Sequence, residues 1–264
     1  MINLKDILFA LSKADGVGNI REATDLAESL LSNFCKTETT DNLTVIGYLS
    51  GKRDYTLMLD AHIDQIAFVV TDVDDKGFLS LKNAGGVDLR SLPSRRVTVH
   101  GKKKITAVFS ATPPHLAKGD RVYDDIGEIK LDTALGAGAK DIISVGDYVT
   151  FANEPRELLG NKVSGRSFDN RSAVACLIAT AEMLKDKELP FNVAFVLSDG
   201  EELGLRGIRT ASFKIDPQEA IAVDVSFGDG IGIGSEECFP LGSGSMIGIS
   251  PTLDSGISGK LIEI

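Results

Sequence analysis

Phe191-Asn-Val-Ala-Phe-Val-Leu197, running straight into Ser198-Asp-Gly-Glu-Glu-Leu203, decides the fold. An apolar run that switches abruptly to acidic side chains describes a strand covered on both faces and ending at an exposed rim. Strands buried on both faces belong to parallel sheets, whose connections are helical crossovers. The neighbours agree with that reading. Residues 172–185 carry a helical pattern, another helical stretch follows residue 203, and Ala220-Ile-Ala-Val-Asp-Val225 reads as the next strand. The fold class is α/β, with a mixed, mainly parallel sheet flanked by helices.

Upstream, Leu4, Ile7, Leu8 and Leu11 recur at helical spacing, and the turn Asp15-Gly-Val-Gly-Asn19 separates them from a second helix over residues 20–34. Residues 43–49 and 55–60 are short β-rich runs split by Ser50-Gly-Lys-Arg-Asp54. The texture changes from about residue 66 to about residue 155. Five short strand-like stretches (IAFVVTDV, GFLSLKN, RRVTVHG, KITAVFS and GDYVTFA) follow one another with turn signals between them and almost no helical periodicity. The expected organisation is an α/β catalytic domain, 1–67 plus 156–264, interrupted by a β-rich insert, 68–155.

The 264 residues include 28 Lys plus Arg against 38 Asp plus Glu, a formal net charge of −10. That balance excludes the basic footprint of a nonspecific nucleic-acid or anionic-membrane binder. Cys35, Cys176 and Cys238 are an odd number, widely spaced and without a CxxC pair, which argues against a disulfide framework or a thiolate zinc site and for a reducing compartment. No apolar run approaches the ~18 residues of a membrane span. The start, MINLKDILFALSKADG, reads as an amphipathic helix and not as a signal peptide. A cytoplasmic protein is the expectation.

Four places put charge or an imidazole where a sheet keeps apolar side chains: Leu59-Asp-Ala-His-Ile-Asp64, Phe168-Asp-Asn-Arg171, Ser198-Asp-Gly-Glu-Glu-Leu203 and Asp224. Three of them lie at strand ends, where open α/β sheets bind ligands. Charge at the rim of a core is costly unless paired or bound to metal. One imidazole with several carboxylates suits zinc, cobalt or manganese. Two ions sharing carboxylates activate a water between them, and the pair Glu201–Glu202 offers one ligand and one general base. Each group also has a plainer reading. His62 alone suits a hydrogen-bonded structural role, Asp169 a helix cap or a partner for Arg171, and the glutamate pair a solvated first helical turn. His100, His115 and the acidic run 120–128 read as structural or surface features.

Taken together and in order, Asp60-Ala-His-Ile-Asp64, Ser167-Phe-Asp-Asn-Arg171, Gly200-Glu-Glu-Leu-Gly-Leu-Arg-Gly207 and Ala222-Val-Asp-Val225 resemble the M42 metallo-aminopeptidases, the glutamyl and tetrahedral aminopeptidases. Within the insert, Gly85-Gly-Val-Asp-Leu-Arg90, Ala111-Thr-Pro-Pro-His-Leu116 and Val145-Gly-Asp-Tyr-Val149 extend the resemblance to essentially the whole chain. It implies a peptidase with two divalent ions, zinc or cobalt with manganese as a further option, that removes N-terminal residues from short peptides. His62 and Asp224 are then ligands of one ion, Asp169 bridges both, Glu202 binds the other, Glu201 is the general base and Asp64 orients His62. The insert corresponds to a dimerisation domain, and dimers assemble into a hollow dodecamer. The sequence departs from the family at Gln65, where an acidic residue is usual, and at Asp199-Gly200, where Gln usually precedes the glutamate pair. A further histidine ligand of the second ion is expected well beyond Leu241-Gly-Ser-Gly244, whereas no histidine follows His115. The expectation is therefore a piece of a longer protein, inactive in this form, in preference to a naturally shortened, non-catalytic member. Rival functions are a related co-catalytic metal deacylase, a glycosidase, which needs two carboxylates and no metal, and a non-catalytic assembly or binding protein on the same fold.

Overall fold

The structure is a computed structural model that describes residues 2–264 apart from 111, 113, 117–125, 231 and 235. It comprises two units, Met1–Asp224 and Val225–Ile264.

In the first unit the elements run α1 (Leu4–Lys13), α2 (Glu22–Leu31), β1 (Lys36–Thr39), β2 (Val45–Leu49), β3 (Arg53–His62), β4 (Ala67–Val73), β5 (Phe78–Ala84), β6 (Arg96–His100), β7 (Lys104–Phe109), β8 (Leu131–Asp132) and β9 (Tyr148–Phe151). They continue with β10 (Arg156–Leu158), β11 (Lys162–Ser164), α3 (Phe168–Leu184), β12 (Phe191–Ser198), α4 (Arg206–Ile215) and β13 (Glu219–Ala222). A mixed five-stranded sheet has the order β1-β2-β12-β3-β13. The parallel pairings are those of β3 with β12 and β13; β1 and β2 join through antiparallel pairings.

Strand periodicity sorts the sheet's side chains into two layers. Val193, Phe195 and Leu197 of β12 pack with Ile7 and Leu11 of α1, Ala23, Ala27 and Leu31 of α2, and Val174, Leu177 and Ile178 of α3. The alternate residues Ala194 and Val196 face Ile46, Met58 and Ala211 of α4. The apolar run of β12 is thus covered by helices on both faces, as its composition requires. Because Met58 belongs to the α4 layer, Asp60 and His62 share its face of β3.

β4, β5, β8, β7, β6 and β9 close into an antiparallel barrel in that order. Its core gathers Phe68, Val70, Leu81, Val97, Phe109 and Leu131. Phe68 stands edge-on to Phe109 and Phe151, with ring centroids 5.1 and 5.6 Å apart. Val17, Ala67 and Ala84 pack with Tyr148 and Leu203 where the barrel meets the α/β body. Closure leaves no open sheet edge on this module.

Several expectations are corrected locally. Lys36–Thr39 form an edge strand that the sequence reading leaves out. The second helix is shorter than 20–34, ending with Leu31. The strand expected over 220–225 stops at Ala222, so Asp224 sits beyond its end and not inside it. Residues 120–125 of the acidic run, and Ala111 and Pro113 of the insert motif, lie outside the described residues. His100 is held by Thr150, its Nε2 lying 2.9 Å from Oγ1, and His115 is exposed.

The second unit is a series of turns followed by α5 (Ser255–Glu263). Asp254 caps α5 by accepting the Ile257 N–H at 2.8 Å, and none of the helix's residues is buried.

Candidate metal centre

The three parallel strands point their carboxyl ends to one rim. His62 ends β3 in register with Ser198 of β12, and Asp60 is in register with Ala222 of β13. The acidic segments that follow β12 and β13 therefore start level with the imidazole. His62 is almost fully buried, and its Nε2 lies 3.0 Å from Asp169 Oδ1. Glu201 Oε2 and Asp224 Oδ1 each lie 4.0 Å from the same nitrogen. One ligand atom each of His62, Asp169 and Asp224, and likewise one each of His62, Glu201 and Glu202, fall within 4.8 Å of one another.

Local chemistry places each carboxylate. The turn after β12 uses Gly200 at φ +74°, a backbone region open to glycine. Asp64, itself buried, clamps that turn: its Oδ1 accepts the Glu201 N–H at 3.0 Å and its Oδ2 the Glu202 N–H at 3.2 Å. Asp169 precedes the regular part of α3, with non-helical φ/ψ at Asp169 and Asn170. Asn170 donates from Nδ2 to the Val223 carbonyl at 2.8 Å and so ties the start of α3 to the end of β13, holding Asp169 near Asp224. Gly85, leaving β5, sits at φ +91°; a Cβ there would lie 2.9 Å from Ile66 Cγ2 and 3.0 Å from Glu202 Oε2. The barrel approaches Glu202 this closely only because position 85 has no side chain.

The plainer readings can now be weighed. The carboxylate of Asp169 lies against the His62 imidazole, and Arg171 directs its donors elsewhere. Arg171 is completely buried and donates to the carbonyls of Leu11 (2.7 Å) and Ala14 (3.1 Å) and to Gln65 Oε1 (3.3 Å). Gln65 thus serves as a neutral acceptor for that guanidinium. Asp64 Oδ1 comes within 3.4 Å of His62 Nδ1, yet Nδ1 has no hydrogen-bond partner there, and the carboxylate's hydrogen bonds go to the Glu201–Glu202 backbone.

Electrostatics mark this rim as anomalous. Burial pushes Glu201 and Glu202 above the usual carboxylate range, and neighbouring carboxylates add to the effect against the opposing pull of His62. Burial likewise raises Asp60 to about 6, and its Oδ1 has no hydrogen-bond partner. For His62 burial is the largest influence and acts downward, but Asp169, Asp64 and Asp224 outweigh it and hold the imidazole up at about 10. A buried imidazole crowded by carboxylates, with orphaned polar atoms on Asp60 and His62, is a donor set that a divalent cation satisfies. The residues present fit such a group.

The sequence reading named His62, Asp64, Asp169, Glu201, Glu202 and Asp224, and all of them gather at this rim. It gave no role to Asp60, Asn170 or Gly85, and it offered Arg171 only as an ion-pair partner for Asp169, whereas the guanidinium serves Leu11, Ala14 and Gln65. Asp60 carries the one available signal, an acidic residue two positions before the histidine on the same strand face.

Residues 44–264 match the family M42 glutamyl aminopeptidase. The chain belongs to the M42 peptidase family. Among its relatives is the lysyl aminopeptidase of Pyrococcus furiosus, 28% identical over a 240-residue alignment that covers 87% of this chain and 68% of that protein. The aminopeptidase APDkam598 from the archaeon Desulfurococcus kamchatkensis superposes with a TM-score of 0.83 at 27% identity, covering 91% of this chain and 68% of that one. The TET1 peptidase of Pyrococcus horikoshii, described as assembling into a tetrahedron or a large octahedral shell, superposes with a TM-score of 0.78 at 28% identity over 86% of this chain and 70% of that one. The chain spans about two thirds of the length of these relatives. M42 members depend on metal, and no helix among the described residues is long and apolar enough to cross a membrane.

Proposed function

We propose that the protein is a cytoplasmic aminopeptidase that hydrolyses the N-terminal residue from short peptides using two divalent ions, zinc or cobalt, with manganese as an alternative. The observation that carries this reading is the pair of donor groups meeting at one buried imidazole, His62 with Asp169 and Asp224, and His62 with Glu201 and Glu202. His62 and Asp224 would hold one ion and Glu202 the other, with Asp169 as the ligand they share. When bound, the ions supply Lewis acidity and bring a water's pKa toward neutrality. Glu201, raised by burial, would serve as the general base that accepts a proton from water and returns it to the leaving amine. Asp64 positions Glu201 and Glu202 through their backbone. The division into 1–67 plus 156–264 and an insert 68–155 that mediates dimerisation, with dimers building a larger homo-oligomer such as a dodecamer, belongs to the same proposal; the shell-forming TET1 peptidase supports it.

The test is release of amino acids from unblocked and N-acetylated peptides by the full-length protein, wild type and Glu201→Gln, with metal content measured in both. The expected outcome is hydrolysis of unblocked peptides only, abolished by a chelator, and a loss of roughly 10²- to 10⁴-fold in turnover for Glu201→Gln with metal retained. Peptide hydrolysis that survives chelation would remove the metal-dependent reading, and normal turnover in Glu201→Gln would remove the base assignment.

A further inference from the structure

A groove of about 680 Å³ lies apart from the metal-centre residues, lined by Arg95, Arg96, Arg156 and Arg166 together with Ser91, Ser94, Ser164 and Asn153. That volume is in the range of small-ligand sites. In a chain of net charge −10, arginines converging on one groove concentrate positive charge there. Its one lining carboxylate, Glu154, is already paired with Lys13 at 3.6 Å. Arg166 is used internally, bonded to Asp15 and to the Lys13 carbonyl. Arg95 spends its Nε on the Ser91 carbonyl at 3.1 Å. Arg96, at the start of β6, and Arg156, at the start of β10, are exposed and form no ion pair with a described residue. Two unpaired guanidiniums beside serine hydroxyls and an amide, with Phe151 and Leu158 as an apolar wall, make a receptor for carboxylates carried on a short organic backbone.

The groove is also close to the metal centre along the chain. Arg166 precedes Asp169 by three residues, which at most ~3.6 Å per residue puts their backbones within about 11 Å. A peptide of a few extended residues spans that distance. We propose that this groove binds the carboxylates of an acidic peptide, its free C-terminus included, with Arg96 and Arg156 as the anchoring cations. The connection to the metal centre rests on the aminopeptidase reading; the binding itself does not.

The experiment uses the full-length protein and an N-acetylated tetrapeptide rich in glutamate, which an aminopeptidase cannot turn over, with affinity measured by calorimetry at low and high salt. The free-acid peptide is expected to bind at least about tenfold more tightly than the same-length neutral peptide amide, and Arg96→Ala/Arg156→Ala to remove that margin. Arg96→Lys/Arg156→Lys is expected to recover part of it, since the charge returns without the fork. Equal affinity for acidic and neutral peptides, or unchanged affinity in the double alanine variant, overturns the proposal. So does inorganic phosphate competing as effectively as the peptide, which would make the groove a simple anion site. Unblocked peptides left intact while the blocked acidic peptide binds through the arginines would sink the aminopeptidase reading and leave the groove standing.

Discussion

Replacing Asp64 with asparagine tests how the glutamate turn is held. The two carboxylate oxygens divide the work, Oδ1 taking the Glu201 N–H at 3.0 Å and Oδ2 the Glu202 N–H at 3.2 Å. An asparagine keeps one acceptor and turns an NH2 group toward the other N–H. One bond to a charged group, worth about 1.5–3 kcal/mol, is lost, and a part-buried N–H is left unpaired at about 1–3 kcal/mol or less. Opposing this, the substitution removes one negative charge from a rim where Asp64 raises both glutamates. At an effective dielectric near 20 such a repulsion is at most a few kcal/mol and recovers only part of the loss. The net expectation is about 2 kcal/mol, confined to the turn 199–204, or roughly thirtyfold in the opening equilibrium. Hydrogen exchange followed by mass spectrometry on peptides covering residues 199–205 reads that number directly. Exchange of this segment at the wild-type rate, with the remainder of the protein unchanged, would refute the clamp.

Gly85→Ala places a methyl 2.9 Å from Ile66 and 3.0 Å from Glu202 at φ +91°, so a loss of about 1–3 kcal/mol in urea unfolding is expected. Its metal affinity should fall as well, and an unchanged unfolding midpoint counts against the close approach. Arg171→Lys cannot reproduce the fork that serves Leu11, Ala14 and Gln65, and about 3 kcal/mol of stability should go, measured by the same unfolding curve. Asn170→Ala cuts the tie to Val223; it should cost about 1 kcal/mol and weaken divalent-ion binding in a calorimetric titration, whereas unaltered ion affinity would separate that tie from the donor set.

The sheet was legible because β12 is apolar over most of its length and meets helices on both faces, a situation in which composition and burial coincide. The donor set was legible for a related reason: His62, Asp64, Asp169 and the glutamate pair are chemical exceptions to the pattern around them. What supports them was not. Lys36–Thr39 has no alternation strong enough to announce an edge strand, since its KTET sequence is polar on both faces. Asn170 and Gly85 act by reaching across to residues far away in sequence, Val223 and Glu202, and nothing local marks such partners. The barrel's strands announced themselves individually through turns and alternation, but closure depends on the pairing of β4 with β9, a non-local contact. Asp64 was read through its nearest neighbour, His62, while its hydrogen bonds go to a turn 137 and 138 residues away.

That pairing of β4 with β9, Phe68 opposite Val149, brings the barrel's entrance and exit side by side. To the α/β body the long excursion between these residues then counts entropically as a short loop, because a closed insert fixes the distance between its own ends. The strands that carry His62 and the glutamate turn must meet across that excursion. Loop-closure entropy grows with the length of free chain, so a barrel that forms first removes most of this cost before β3 and β12 come together. The insert is in this sense a folding aid for the candidate metal centre as well as one of its walls.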